Sequence, residues 1–123
     1  MPLKNIERVF IIDDEESICL LISAILKSQD IDTKHSTELQ GVIEKVVEFN
    51  PQVVFLDLSL KDGSGFSIIP DLLSKLTEAE IIIVSAHSGI KERQKAEDLN
   101  IKYFIPKPFN RQNILNLLKE IGA

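Results

Sequence analysis

The stretch "RVFIIDDEES", residues 8–17, places two adjacent carboxylates, Asp13 and Asp14, directly after a run of apolar residues. The apolar run is continuous rather than alternating, which is typical of a strand buried on both faces of a sheet. Adjacent like charges disfavour each other's ionisation, so a folded protein tolerates such a pair best where it is solvated or shares a cation. The stretch therefore predicts a buried strand that ends either in a polar turn or at a cation site.

Comparable apolar runs recur along the chain as "VVFL" at 53–56, "IIIV" at 81–84 and "YFI" at 103–105, and each predicts a further buried strand. The polar segment "DTKHS" at 32–36 suits a strand at the edge of the sheet. Between the strands, apolar residues at helical spacing predict four helices. Their expected buried stripes are Ile18, Leu21, Ile22, Ile25 and Leu26; Leu39, Val42, Ile43, Val46 and Val47; Ile69, Leu72, Leu73 and Leu76; and Ile114, Leu117, Leu118 and Ile121.

A fifth helix is expected over residues 88–100, where only Ile90, Ala96 and Leu99 could anchor it, so we predict a mobile element. Pro70 is compatible with a third helix that begins near Ser67, since proline in a first turn removes an amide that lacks an intrahelical partner. Asn110 is placed to cap the last helix.

Five strands alternating with five helices predict a parallel sheet covered on both faces, a three-layer α/β sandwich. The length of 123 residues fits a single domain over residues 1–123, with no output domain in this chain. A net charge of -5 without a run of Lys or Arg argues against a nucleic-acid or membrane surface. The single cysteine, Cys19, is expected to be a reduced packing residue, which together with the lack of a signal peptide predicts a cytoplasmic protein.

Ligands of such sheets bind beyond the carboxyl ends of the strands. The polar residues expected there are Asp13, Asp14, Asp57, Ser85 and Lys107. Each is common in loops when taken alone, but an acidic cluster, a hydroxyl and a lysine together supply the parts of a phosphoryl-transfer site. Carboxylate oxygens suit Mg²⁺, and Asp57, held by a buried strand beside the metal, is the candidate nucleophile.

The motifs "IIDDEE", "FLDLSLKDGSG", "VSAHS" and "IPKPF", in this order, resemble those of the CheY-like receiver domains of two-component response regulators. The resemblance covers essentially the whole chain and implies a flavodoxin-like fold with strand order 2-1-3-4-5. It implies that Asp57 accepts a phosphoryl group from a histidine kinase or a histidine phosphotransfer protein. It further implies that Asp14 binds Mg²⁺ directly, Asp13 through water, and Ser59 through its backbone carbonyl.

By the same resemblance, Ser85 bonds the phosphoryl oxygen and swings inward, Lys107 pairs with the phosphate, and the Lys107–Pro108 peptide is cis. Phe104 stands at the aromatic switch position, where Tyr is frequent in the family, and the neighbouring Tyr103 should point to the opposite face. Lys61 stands where family members very often carry Pro, and we expect it to be solvated.

His87 follows Ser85 by two residues, where a side chain can overhang the phosphoryl group. We therefore expect His87, together with Ser59, to tune the lifetime of the phosphorylated state. A zinc site is not expected, because neither of the two histidines lies at metal-ligand spacing.

The function predicted from these residues is a phosphorylation-controlled signalling domain rather than an enzyme, read out by a downstream protein or a covalently linked output domain. The alternative is a receiver-like module that binds proteins without phosphorylation. The chain retains all of the expected site residues, which counts against this alternative. A flavodoxin is disfavoured because "DDEES" would repel phosphate in the first strand–helix loop. An aspartyl phosphatase would usually show Asp-x-Asp at that place.

Overall fold

The structure is a computed structural model that describes residues 6–86 and 89–122. The strands are β1 (Arg8–Ile12), β2 (Asp32–Ser36), β3 (Val53–Asp57), β4 (Ser59–Leu60), β5 (Gly63–Ser64), β6 (Glu80–Ser85) and β7 (Tyr103–Pro106). The helices are α1 (Glu16–Lys27), α2 (Val42–Phe49), α3 (Ile69–Lys75), α4 (Ile90–Asp98) and α5 (Arg111–Gly122), with a 3-10 helix at Gly65–Ile68.

Five strands form one parallel sheet in the order β2-β1-β3-β6-β7. This order matches the predicted 2-1-3-4-5 order by position, since β4 and β5 form a separate antiparallel hairpin directly after β3. The predicted flavodoxin-like fold is therefore confirmed, and the polar segment 32–36 is the edge strand β2. The hairpin was not predicted, because two-residue strands leave no periodic pattern in a sequence.

The core consists of two apolar clusters, one on each face of the sheet. Strand side chains alternate in direction, so Ile11 and Phe55 pack with α1 and α5, while Ile12 and Leu56 pack with α2 and α3. Burial of each large side chain stabilises the fold by about 1.5–3 kcal/mol. The same alternation sends Tyr103 and Phe104 to opposite faces, as predicted.

The buried stripes of the helices are narrower than predicted. Leu21, Val47 and Leu73 are exposed, and each stands next to a buried residue of its helix. Successive residues of a helix lie about 100° apart, so a position adjacent to the buried face turns towards solvent. The prediction that these three side chains are buried was wrong, whereas Cys19 is buried in the α1 face as expected.

Helix α4 is attached through few buried residues. Ile90, predicted as an anchor, is the first residue of the helix and is 87% exposed, so that prediction was wrong. Ala96 is buried as predicted. Two cation–π contacts supplement it, from Arg93 to the Phe104 ring at 4.6 Å and from Lys95 to the Phe66 ring at 4.7 Å.

Local signals at the other helix ends are confirmed. Pro70 lies in the first turn of α3. Asn110 Oδ1 accepts a hydrogen bond from the Asn113 amide at 2.8 Å, and Asn113 Oδ1 accepts one from the Asn110 amide at 2.9 Å, which caps α5 reciprocally. The Lys107–Pro108 peptide is cis. Within residues 6–86 and 89–122, no helix has the length and apolar character needed to cross a bilayer.

Candidate functional site

Three aspartates meet at the carboxyl edge of the sheet. Asp13 follows β1, Asp14 comes next in the chain, and Asp57 ends β3, the strand beside β1. One carboxylate oxygen from each lies within 4.8 Å of the others. Asp13 is 2% exposed and Asp57 is 4% exposed, while Asp14 is half-buried and opens the cluster to solvent.

Lys107, one residue after β7, reaches into this cluster. Its Nζ lies 2.8 Å from Asp13 Oδ2 and 3.4 Å from Asp57 Oδ2. Burial alone lowers the pKa of Lys107, but the hydrogen bond to Asp13 and the charges of Asp13 and Asp57 outweigh it, and the pKa is raised. Lys107 is therefore a fixed ammonium that neutralises part of the acidic charge.

Asp57 is held by the chain that follows it. The Ser59 amide donates a hydrogen bond to Asp57 Oδ1 at 3.2 Å. Burial raises the pKa of Asp57 above its ordinary value, the charge of Asp13 adds to this, and the Ser59 amide and Lys107 oppose it. A desolvated carboxylate at a rigid strand end is suited to act as a nucleophile or as a metal ligand.

Gly65 lies against the backbone of Asp57. A Cβ built at Gly65 would collide with the Asp57 carbonyl oxygen and would come within 3.2 Å of Leu56 Cδ1. The Gly65 amide also donates to the Leu58 carbonyl at 2.9 Å. Sequence reasoning gave Gly65 no role at the site, since the motif "DGSG" indicates a tight turn but not which backbone packs against it.

Asp13 is oriented by backbone groups on two sides. The Glu15 amide donates to Asp13 Oδ1 at 2.9 Å, and the Asp13 amide donates to the Ser36 carbonyl at 3.2 Å. The Cys19 thiol donates to the Asp13 carbonyl at 3.4 Å. Burial, with the negative charges of Asp13 and Glu16, raises the pKa of Cys19 to about 12, so the thiol stays protonated and inert.

The remaining predicted residues are distributed around the cluster. Ser85 is buried at the end of β6, and its carbonyl accepts a hydrogen bond from the Lys107 amide at 2.8 Å. Ser59 is exposed in the hairpin, and Phe104 is half-buried under Arg93. His87 lies outside the described residues.

The donor set fits a hard divalent cation. Three carboxylates and one ammonium leave a formal charge of -2, from -3 and +1, concentrated in a small volume. Within residues 6–86 and 89–122, the ligand atoms that cluster here are carboxylate oxygens, which suit Mg²⁺ better than a soft metal. Asp14 is the most exposed of the three aspartates, which suits a cation such as Mg²⁺ that retains several waters.

Residues 9–119 match the family model described as the response regulator receiver domain. The chain belongs to that family. Receiver domains are signalling domains of two-component systems, so the predicted family and signalling class are confirmed.

One relative of this chain is the NtrX-like response regulator of Rickettsia bellii (strain RML369-C). It is 30% identical over 113 residues, which are 90% of this chain and 24% of the relative. This receiver domain thus spans about a quarter of the length of the NtrX-like proteins and about half of the cell cycle regulator CtrA of Brucella ovis, at 47%.

Solved structures share the fold. A CheY-like receiver domain protein from Methanospirillum hungatei JF-1 aligns with a TM-score of 0.88 at 18% identity, covering 95% of this chain and 94% of its own. The beryllofluoride-activated NtrC4 receiver domain, described as a dimer, aligns with a TM-score of 0.85 at 28% identity, covering 94% and 95%.

Proposed function

We propose that this receiver domain accepts a phosphoryl group on Asp57, in the presence of Mg²⁺, from a histidine kinase or a histidine phosphotransfer protein. The observation that carries the proposal is the buried Asp57 carboxylate, within 4.8 Å of Asp13 and Asp14 and 3.4 Å from the Lys107 ammonium. An acidic pair in a polar turn would not explain the buried lysine beside it. A structural salt bridge between the lysine and one aspartate would not explain the other two carboxylates. The combination fits a site that receives both a cation and a phosphoryl group.

Asp13, Asp14, Asp57 and the Ser59 carbonyl are the proposed holders of Mg²⁺. The metal, when bound, supplies positive charge that offsets the negative charge of the phosphoryl oxygens. The chain's own contribution is to hold its oxygens in place before the cation arrives, through the Glu15 amide on Asp13 and the Ser59 amide on Asp57.

In the proposed transfer, one Asp57 carboxylate oxygen attacks the phosphorus of a phosphohistidine on the donor protein. A P–O bond forms as the P–N bond breaks, and the electron pair of the P–N bond stays on the imidazole nitrogen. Lys107 and the Ser85 hydroxyl hold the phosphoryl oxygens. Lys107 then pairs with the phosphoryl group instead of the Asp57 carboxylate, while it stays near Asp13.

The output is a changed protein-interaction surface. Ser85 and Lys107 join the site to β6 and to the segment after β7, and β7 carries Phe104 beneath α4. Since α4 has few buried anchors, a small change at the site can shift its position. The partner is a downstream protein or a linked output domain, and His87 and Ser59 set the lifetime of the phosphorylated form.

The test is the intact mass of the chain after incubation with Mg²⁺ and acetyl phosphate. We expect one phosphoryl adduct that disappears in Asp57→Asn and in the presence of a chelator. Asp32→Asn is the matched control, since Asp32 is an exposed aspartate at the amino end of β2, away from the site. An adduct in Asp57→Asn, or no adduct in the wild type with either acetyl phosphate or a phosphorylated phosphotransfer protein, contradicts the proposal and favours a phosphorylation-independent binding module.

A further inference from the structure

Asp62, at the turn of the β4–β5 hairpin, makes hydrogen bonds to a distant part of the chain. Both of its carboxylate oxygens accept the Leu39 amide at 3.0 Å, and Oδ2 also accepts the Gln40 amide at 3.0 Å. A turn aspartate ordinarily bonds backbone groups one or two residues away, whereas Leu39 is 23 positions from Asp62. Asp62 therefore connects the turn of the β4–β5 hairpin to the loop that follows β2.

The β4–β5 hairpin connects Asp62 to the end of β3, where Asp57 lies. Ser59 pairs with Ser64, and the Ser59 amide donates to Asp57 Oδ1. A Cβ at Gly63 would lie 3.2 Å from Leu39 Cδ1, so the hairpin backbone also packs closely on the Leu39 side chain. Ser59 is therefore placed from one side by Asp57 and from the other by the tip of the hairpin.

The loop that contains Leu39 and Gln40 is connected to the other half of the acidic cluster. It follows β2, whose last residue, Ser36, accepts the Asp13 amide through its carbonyl at 3.2 Å. The Ser36 hydroxyl donates to the Glu38 carbonyl at 3.0 Å. Hydrogen bonds and short covalent segments thus connect Asp13, through the loop after β2, to Asp62 and the β4–β5 hairpin.

We propose that Asp62 is a positioning residue for the divalent cation site. Its carboxylate fixes the β4–β5 hairpin, and with it Ser59, relative to Asp13 and Asp14. This inference rests on the proposed function, since it assigns Asp62 a part in Mg²⁺ binding. Asp62 does not contact the cation; it acts through the backbone of the hairpin. The bonds from Leu39 and Gln40 hold the pKa of Asp62 below its ordinary value, so the link is intact at neutral pH.

The experiment compares Mg²⁺ binding by the full chain and its variants in calorimetric titrations, with phosphorylation by acetyl phosphate measured in parallel. Asp62→Ala removes the acceptors, and Asp62→Asn keeps one amide oxygen and is the milder change. Gln52→Ala is the matched control, because Gln52 Oε1 likewise accepts two backbone amides, those of Glu7 at 3.0 Å and Arg8 at 2.8 Å, but near the amino end of the sheet.

We expect the Kd for Mg²⁺ to rise about tenfold in Asp62→Ala, at the lower end of the range for residues that orient metal ligands indirectly, and about threefold in Asp62→Asn. The maximal rate of phosphorylation at saturating Mg²⁺ should change less than the Mg²⁺ concentration that gives half of that rate. Gln52→Ala should leave the Kd unchanged. If Asp62→Ala does not fold, Asp62→Asn decides alone.

Equal Kd values for the wild type and the Asp62 variants, or an equal rise in Gln52→Ala, overturn the positioning role while the phosphorylation of Asp57 stands. A wild-type chain that binds no Mg²⁺ and gains no phosphoryl adduct overturns both this inference and the proposed function. The two failures are therefore distinguishable in one set of samples.

Discussion

The Nζ of Lys107 lies 2.8 Å from Asp13 Oδ2 and 3.4 Å from Asp57 Oδ2, which makes Asp13 its nearer partner. Both side chains are largely withdrawn from solvent, so neither charge is well hydrated without the other. The lysine thus stabilises the acidic cluster without a bound cation.

Replacement of Lys107 by alanine should destabilise the metal-free protein, because it leaves Asp13 buried without its counter-charge. We expect a loss of about 2–3 kcal/mol in the free energy of unfolding by urea, somewhat below the usual cost of breaking a fully buried pair. Saturating Mg²⁺ should restore part of it. Lys119→Ala, at an exposed position of α5, is the control and should change stability little.

The same pair predicts a pH dependence at alkaline pH. The pKa of Lys107 is raised above its ordinary value of 10.5, so its contribution to stability is fully present below pH 10.5 and is lost as the pH rises through the raised value. Unfolding measured across this range should therefore show a smaller pH dependence in Lys107→Ala than in the wild type. Identical profiles for the two proteins would contradict the role given to Lys107.

Asp57→Asn should be more stable than the wild type at pH 7 without metal. Burial raises the pKa of Asp57 above 3.8, so the stability associated with its neutral form is fully present below pH 3.8 and is lost as the carboxyl ionises in the fold. The asparagine variant does not ionise and should gain about 1 kcal/mol, a few degrees in the thermal midpoint. The gain should vanish below pH 3.8, and Asp32→Asn should show none.

Gly65→Ala should damage the site more than an ordinary glycine substitution. The added Cβ displaces the Asp57 carbonyl, which is backbone and cannot rotate away, so we expect a loss of about 1–3 kcal/mol in stability. Phosphorylation by acetyl phosphate should slow at least about tenfold, since catalytic geometry is sensitive to small displacements.

Gly89→Ala is the control for Gly65→Ala. The backbone of Gly89 has a φ of -70°, and a Cβ there would meet the far end of the flexible Glu92 side chain. It should fold and be phosphorylated like the wild type. A normal rate in Gly65→Ala would show that the backbone near Asp57 tolerates the displacement.

Cys19 should resist thiol reagents in the folded protein. The thiol is buried and has a pKa of about 12, so almost no thiolate exists at pH 8. We expect no alkylation by iodoacetamide over the time in which a cysteine placed at the exposed position Leu20 reacts fully. Urea should make Cys19 reactive, and rapid modification in the native state would contradict its packing role.

Much of the fold was predictable because its signals are local. The strands around Phe55 and Ile82 are continuous apolar runs, and the caps and first-turn residues, such as Asn110 and Pro70, act within a few positions of themselves. The widths of the helix faces were not predictable to the residue, since the exposure of Leu21 or Val47 depends on how each helix is rotated against the sheet.

By itself, the sequence determined the family, the alternation of strands and helices, and the placement of aspartates at strand ends, because these depend on side-chain type and short-range order. Only the tertiary structure decided which side chains lie in contact. Lys107 reaches Asp57 across 50 positions and Asp62 reaches Leu39 across 23. Such contacts arise when parallel strands bring their ends to one edge of the sheet, so no local pattern records them.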